Sequence, residues 1–146
     1  MAEGLADQEV VLLAASKVDP ASLCSYDVVF LGTGIYGGAI GKTLKNLMSQ
    51  CSELPLKVVL FCTHANPDPT IYWGAFKKIE KQITDKSCQI SAQFHCFGEN
   101  RNKQIVEMLL KTMPTLKPAL EASKGHPTSE DLEKAKEFAQ AIIQEL

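Results

Sequence analysis

Three short, apolar, β-branched runs constrain this chain more than any other feature. Glu9–Ala15 reads EVVLLAA, Asp27–Gly32 reads DVVFLG and Lys57–Cys62 reads KVVLFC. A weaker fourth, Gln89–Phe97, reads QISAQFHCF. Continuous apolar runs of this length, bounded by polar or Gly/Pro residues, are what strands buried on both faces of a parallel sheet look like. Helical periodicity falls between and after them. Ile40, Leu44, Leu47 and Met48 share one face, as do Trp73, Phe76, Ile79 and Ile83. Ile105, Leu109 and Met113 recur every four residues, and Leu132, Ala135, Ala139, Ile142, Ile143 and Leu146 form a last stripe. Thr128 and Asp131 are spaced as a capping box that starts this last helix. Strand and helix alternate, so the pattern predicts an α/β domain with a parallel sheet and helices on both faces. The 146 residues suit one domain, 1–146, with 114–128 as an insertion loop before the last helix.

Composition excludes several classes. The 15 Lys and Arg against 17 Asp and Glu leave a net charge of −2, and there is a single arginine, so no basic platform for nucleic acid is present. The longest uncharged run, Val28–Gly41, is glycine-rich and shorter than the roughly 20 apolar residues of a membrane helix. The N-terminus is acidic where an export signal carries Lys or Arg, so the expectation is a cytoplasmic protein without a membrane partner. Five scattered cysteines form neither a disulfide framework nor a zinc pattern, and Cys62 and Cys96 read as buried hydrophobes. His64, His95 and His126 share no metal-ligand spacing. Adjacent His95 and Cys96 point to opposite strand faces, which argues against a Cys–His hydrolase. His126, between Gly125 and Pro127, reads as a turn residue.

The candidate site is the stretch Gly32-Thr33-Gly34-Ile35-Tyr36-Gly37-Gly38, read as a loop that leaves the second run and opens a helix. Ligands of parallel α/β sheets bind at the carboxyl ends of strands. Four readings of the stretch stand side by side. Gly32, Gly34 and Gly37 satisfy G-x-G-x-x-G, but the acid a dinucleotide site needs at the end of the next strand is replaced by Cys62-Thr63-His64. Gly41-Lys42-Thr43 ends like a phosphate loop, but the glycine spacing is one residue short. A glycine turn can also be purely structural. Finally, Tyr36 and the surrounding backbone donors suit a flat aromatic ligand.

The last reading meets a resemblance. Tyr26–Gly38 resembles the third strand and first flavin loop of flavodoxins and flavodoxin-like proteins. Lys57–His64 resembles their fourth strand, which leads to the second flavin loop, and Gly125–Ala139 resembles their last helix. Met1–Leu5 is similar to the tail of their first helix. The resemblance implies a flavodoxin-like three-layer sandwich. It implies an FMN-binding electron-transfer protein, an electron carrier or flavin-dependent oxidoreductase with a redox partner protein. The ring would lie between Thr33, Gly34, Ile35, Tyr36, Gly37 and Gly38 on one side and Thr63, His64, Ala65 and Asn66 on the other.

One departure follows the resemblance. Family members begin with a strand, a Ser/Thr-rich phosphate loop and a helix, and Met1–Ser25 contains no such unit. The expected strand order, 2-1-3-4-5, makes the missing strand central. Glu9–Ala15 must then slide across to pair with Asp27–Gly32, or the open edge must pair with another chain, as a homo-oligomer or with a sheet-completing partner. Alternatives to flavin chemistry are a flavin-free interaction module and an incomplete chain.

Overall fold

The computed structural model describes residues 1–5 and 8–145. Four strands form one sheet in the order β2-β1-β3-β4. They are β1 (Val28–Tyr36), β2 (Ala39–Ile40), β3 (Lys57–His64) and β4 (Gln89–Phe97). β1, β3 and β4 are parallel, and only the two-residue β2 runs antiparallel, folded back on the tip of β1. The helices are α1 (Lys42–Gln50), α2 (Pro69–Tyr72), α3 (Lys77–Thr84), α4 (Lys103–Thr112), α5 (Lys117–Ala122) and α6 (Ser129–Gln144), joined by short 3-10 turns. This is the expected α/β architecture, mixed rather than wholly parallel.

The two faces of the sheet are set by period-two alternation. Val29 and Leu31 of β1 and Val58, Leu60 and Cys62 of β3 join Leu44, Leu47 and Met48 of α1 and Ile79 and Ile83 of α3 in the main core. The intervening residues face α6, where Phe138 packs 5.2 Å from Phe94 of β4, ring centre to ring centre. A bulge in β4 reverses its alternation. Val58 pairs with Ile90 but Val59 pairs with Ala92, so Ser91 has no partner. Phe94 thereby reaches the α6 face, and His95 comes to lie beside Cys62 on the core face.

Several sequence expectations need correction. Glu9–Ala15 is not a strand: it runs irregularly to Ala14, and a 3-10 turn begins at Ala15. Val10, Val11, Leu12 and Leu13 are all exposed. The physical reason is that a strand exists only by pairing, and none of the described strands pairs with this segment. Ile40 belongs to β2 rather than to the α1 stripe, although it is buried as expected. The stripe from Trp73 to Ile83 is broken into α2, a 3-10 turn (Gly74–Phe76) and α3. Ile105, Met113 and Leu132 are exposed rather than core. The 114–128 segment is not all loop, since Pro114–Leu116 is a 3-10 turn and α5 follows it. Leu146 lies outside the described residues. The capping box of α6 is present as expected: the Thr128 hydroxyl accepts the Asp131 N–H, and the Asp131 carboxylate accepts the Thr128 N–H.

Gly32 shows how tightly the β1–β3 contact is built. The ring of Phe61 lies flat over it, and a methyl group added there would stand 1.8 Å from Phe61 Cζ. Overpacking of this kind costs roughly 1–3 kcal/mol. Gly32→Ala is expected to lower the denaturant-derived stability by about that amount, and Phe61→Leu in the same chain to restore part of it. Equal losses in the single and double variants would contradict this contact.

Candidate functional site

β1 and β3 run in parallel register, with Thr33 opposite Cys62 and Gly34 opposite Thr63. The two candidate segments, 33–38 and 63–66, therefore emerge side by side at the carboxyl edge of the sheet. This is where α/β sheets take their ligands.

The first segment is not the strand-to-helix loop expected from its glycines. Thr33, Gly34, Ile35 and Tyr36 continue β1. Gly37 and Gly38 then form a two-residue hairpin turn, with Tyr36 paired to Ala39. Both glycines have positive φ, 57° and 76°, which such hairpin turns require and which side chains disfavour. Gly32 and Gly34 lie inside the strand, so the dinucleotide fingerprint lacks the turn it needs. The Thr33 hydroxyl clips this hairpin to the start of α1: it accepts the Gly41 N–H at 2.9 Å and donates to the Gly34 carbonyl at 2.9 Å.

Tyr36 is 69% exposed, and its hydroxyl lies over Gly34, where an added methyl group would stand 2.6 Å away. Beside it is a cavity of about 300 Å³. Thr33, Gly34 and Tyr36 line one side of it, Ala14–Ser16 another, and Thr43 of α1 a third. Residues 63–66 are not part of that lining.

In the second segment, Thr63, Ala65 and Asn66 are half-buried. The Asn66 side chain accepts the Asp68 N–H at 3.0 Å. Asp68 in turn caps α2 by accepting the Thr70 N–H and hydroxyl, each at 2.8 Å. These local bonds shape the turn out of β3.

His64 does something the sequence did not signal. It is 4% exposed and stacks on the buried Tyr72 ring, with centroids 4.0 Å apart and planes 5° from parallel. Its Nε2 is 3.0 Å from His95 Nδ1, and the Tyr72 hydroxyl is 3.3 Å from His95 Nε2. Trp73 meets His95 edge-on. A chain from Tyr72 through His95 to His64 results, and at the His64–His95 contact one ring nitrogen donates and the other accepts, as the tautomers dictate. At its end, His64 Nδ1 is the buried side-chain nitrogen left without a hydrogen-bond partner among the described residues. The arrangement can pass a proton between the exposed His95 and the interior.

Electrostatics follow from burial. Burial holds His64 below the usual histidine range, the neighbouring His95 adds to this, and the Asn66 backbone opposes it. Burial likewise lowers His95. The Cys62 thiol is pushed up to about 12 by burial and then by Cys96, so it stays protonated. Cys62 is buried as expected, and Cys96 is half-buried. A second histidine pair-bond lies on the α6 side. His126 Nδ1 is 2.6 Å from the Asp131 carboxylate. Burial raises Asp131, but the Thr128 N–H, His126 and the Thr128 hydroxyl outweigh it and hold the carboxyl low. Among the described residues, no group of three or more His, Cys, Asp and Glu is placed to hold a metal ion. No described helix is long and apolar enough to cross a membrane.

Comparison with known proteins adds two findings. A family model described as a flavodoxin domain matches residues 2–140. An uncharacterized protein of Methanocaldococcus jannaschii is 28% identical over 127 residues, covering 87% of this chain and 76% of that protein.

The histidine pair yields a pH prediction. Both residues are depressed in the fold, so the unfolded chain binds more protons as pH falls through and below about 6.5. Stability from their neutral forms is complete above that pH and is lost on acidification. The melting temperature should fall between pH 7 and pH 5, and His64→Phe, which keeps the stack on Tyr72, should flatten that fall. Asp131 contributes its own loss only at lower pH, around and below its ordinary value near 4. An unchanged pH profile in His64→Phe would show that the pair does not set this window.

Proposed function

The chain belongs to the flavodoxin family, and from that premise we propose that it is an FMN-binding electron-transfer protein acting with a redox partner protein. The observation that carries this reading is the parallel register of Gly34 with Thr63, which sets the Tyr36 hairpin and the Thr63–Asn66 turn at one edge of the sheet. A bound flavin supplies one- and two-electron transfer, and the protein's part is to bind, orient and tune it.

The residues fit the ring better than the phosphate. Tyr36 offers an exposed aromatic face beside the cavity. At Gly37 and at Gly38 the space a side chain would occupy is nearly empty, so the backbone can approach a flat heterocycle closely. The Asn66 side chain, held by the Asp68 N–H, and the backbone of Ala65 would meet the ring edge. For the phosphate, the uncommitted hydroxyls lining the cavity are those of Ser16, Tyr36 and Thr43, because Thr33 already uses its hydroxyl on Gly34 and Gly41. No Ser/Thr-rich loop is found among the described residues.

This asymmetry is testable. Each charge-assisted hydrogen bond to a phosphate contributes roughly 1.5–3 kcal/mol, so a full cradle separates FMN from riboflavin by 100-fold or more. Fluorescence-quenching titration should instead give FMN and riboflavin dissociation constants within about fivefold of each other. Tyr36→Ala should weaken both about tenfold through lost stacking. A protein indifferent to both flavins would replace this reading with that of a flavin-free interaction module, which the exposed Val10–Leu13 run favours.

A further inference from the structure

Three elements meet at one pair of imidazole rings. His64 closes β3, His95 lies on β4 and Tyr72 ends α2. Their hydrogen bonds and the His64–Tyr72 stack tie these elements together at the start of the Thr63–Asn66 turn. The two histidines differ in access: His64 is buried, whereas His95 is open to solvent.

The groups that face the pair carry no free charge. From β3, Cys62 lies opposite His95 in the strand register, a thiol that burial keeps protonated. From β4, Phe97 packs 5.3 Å from His64, ring centre to ring centre. From α2 and its two ends come Tyr72, the edge of Trp73, and Asp68, whose carboxylate bears on Tyr72 but is spent on the Thr70 N–H and hydroxyl. Among the described residues, neither ring is bonded to a carboxylate or a cation.

The pair can therefore take a proton but lacks a counter-ion to hold it. With one proton added, His95 Nε2–H donates to the Tyr72 oxygen, one N–H is shared across the contact between the rings, and His64 Nδ1 becomes a donor. That atom is the buried nitrogen without a partner, and the Asn66 backbone favours its protonated form. Buried polar atoms left unpaired are rare in folded proteins and call for an explanation. Burial disfavours the extra proton until negative charge arrives nearby. The Thr63–Asn66 turn is one wall of the flavin-ring site, so reduction of a bound ring brings negative charge to the rim that His64 borders.

We propose that His64 and His95 act together as a redox-linked proton acceptor: as the redox partner passes electrons to the bound flavin, the pair takes one proton from water through His95 and offsets charge added at the rim. The redox partner is oxidised and the flavin reduced. The bond this step makes on the chain is an N–H of the pair, and the proton returns to water on reoxidation. The pair is a positioning group that acts through its charge. The proposal rests on the flavin reading given above.

Ring-resolved NMR titration of the histidines in the FMN-loaded chain, oxidised and dithionite-reduced, tests it. The shared midpoint of His64 and His95 should lie about one pH unit higher in the reduced protein, a tenfold gain in proton affinity. His126, bonded to Asp131 on the α6 side, is the internal control and should not respond to redox state. By reciprocity the pair also moves the flavin's reduction equilibrium. His64→Phe should become harder to reduce than wild type as pH falls, by about tenfold below both midpoints, or ~30 mV for a two-electron couple. His95→Gln, at a solvent-exposed position, should open the same gap. A chain that gives no saturable FMN binding overturns the flavin reading and this proposal with it. Saturable binding with one His64–His95 midpoint in both redox states overturns this proposal alone. So does a shift shared equally by His126, or a potential gap that stays constant with pH.

Discussion

The pairing of β3 along both edges is the constraint on which the rest of the molecule depends. Val58, Val59 and Leu60 are 0% exposed, so this strand is covered on both faces as well as paired on both sides. Its pairing with β1 aligns the carboxyl ends of the two strands, and that alignment places Tyr36 and Asn66 at one rim. Its pairing with β4, through the bulge at Ser91, turns His95 toward His64. Site and histidine contact are consequences of the two pairings of one strand.

The two faces of the sheet then carry separate polar systems. On the α1–α3 face, His64, His95 and Tyr72 form a hydrogen-bonded group whose neutral forms are favoured by burial. On the α6 face, His126 and Thr128 satisfy Asp131 at the start of the last helix, a charged arrangement that holds that helix end in place. Buried polar groups of this kind rigidify a fold when satisfied. Among the described residues, the buried side-chain nitrogen without a hydrogen-bond partner, His64 Nδ1, sits at the turn that leads into the candidate site. The first system therefore borders the candidate site, and the second caps a helix.

Much of this was legible from residues alone. Lys57–Cys62 is a strand because a β-branched run between turn signals has few other ways to bury its backbone, and the weaker run Gln89–Phe97 pairs beside it. The Thr128–Asp131 box marks a helix start because its chemistry is local. What failed was whatever depended on a neighbour. Glu9–Ala15 has a strand's composition, but none of the described strands pairs with it. The glycines after Leu31 read as a loop, yet Gly32 is there to admit the Phe61 ring and only Gly37 and Gly38 turn the chain. The His64–His95 contact could not be seen, because an unbulged β4 would have turned His95 to the opposite face. Period-two placement of Cys62 and His64 was the available signal, and the bulge was the missing piece.

The most direct test of the central claim, that the Tyr36 hairpin and the Thr63–Asn66 turn together form a flavin-ring site, is amide chemical-shift mapping by NMR as FMN is added. The account predicts that shifts concentrate at Thr33–Gly38 and at Ala65 and Asn66, while the amides of α4 and α5 stay where they are. Shifts confined to other surfaces, or none at saturating flavin, would contradict it.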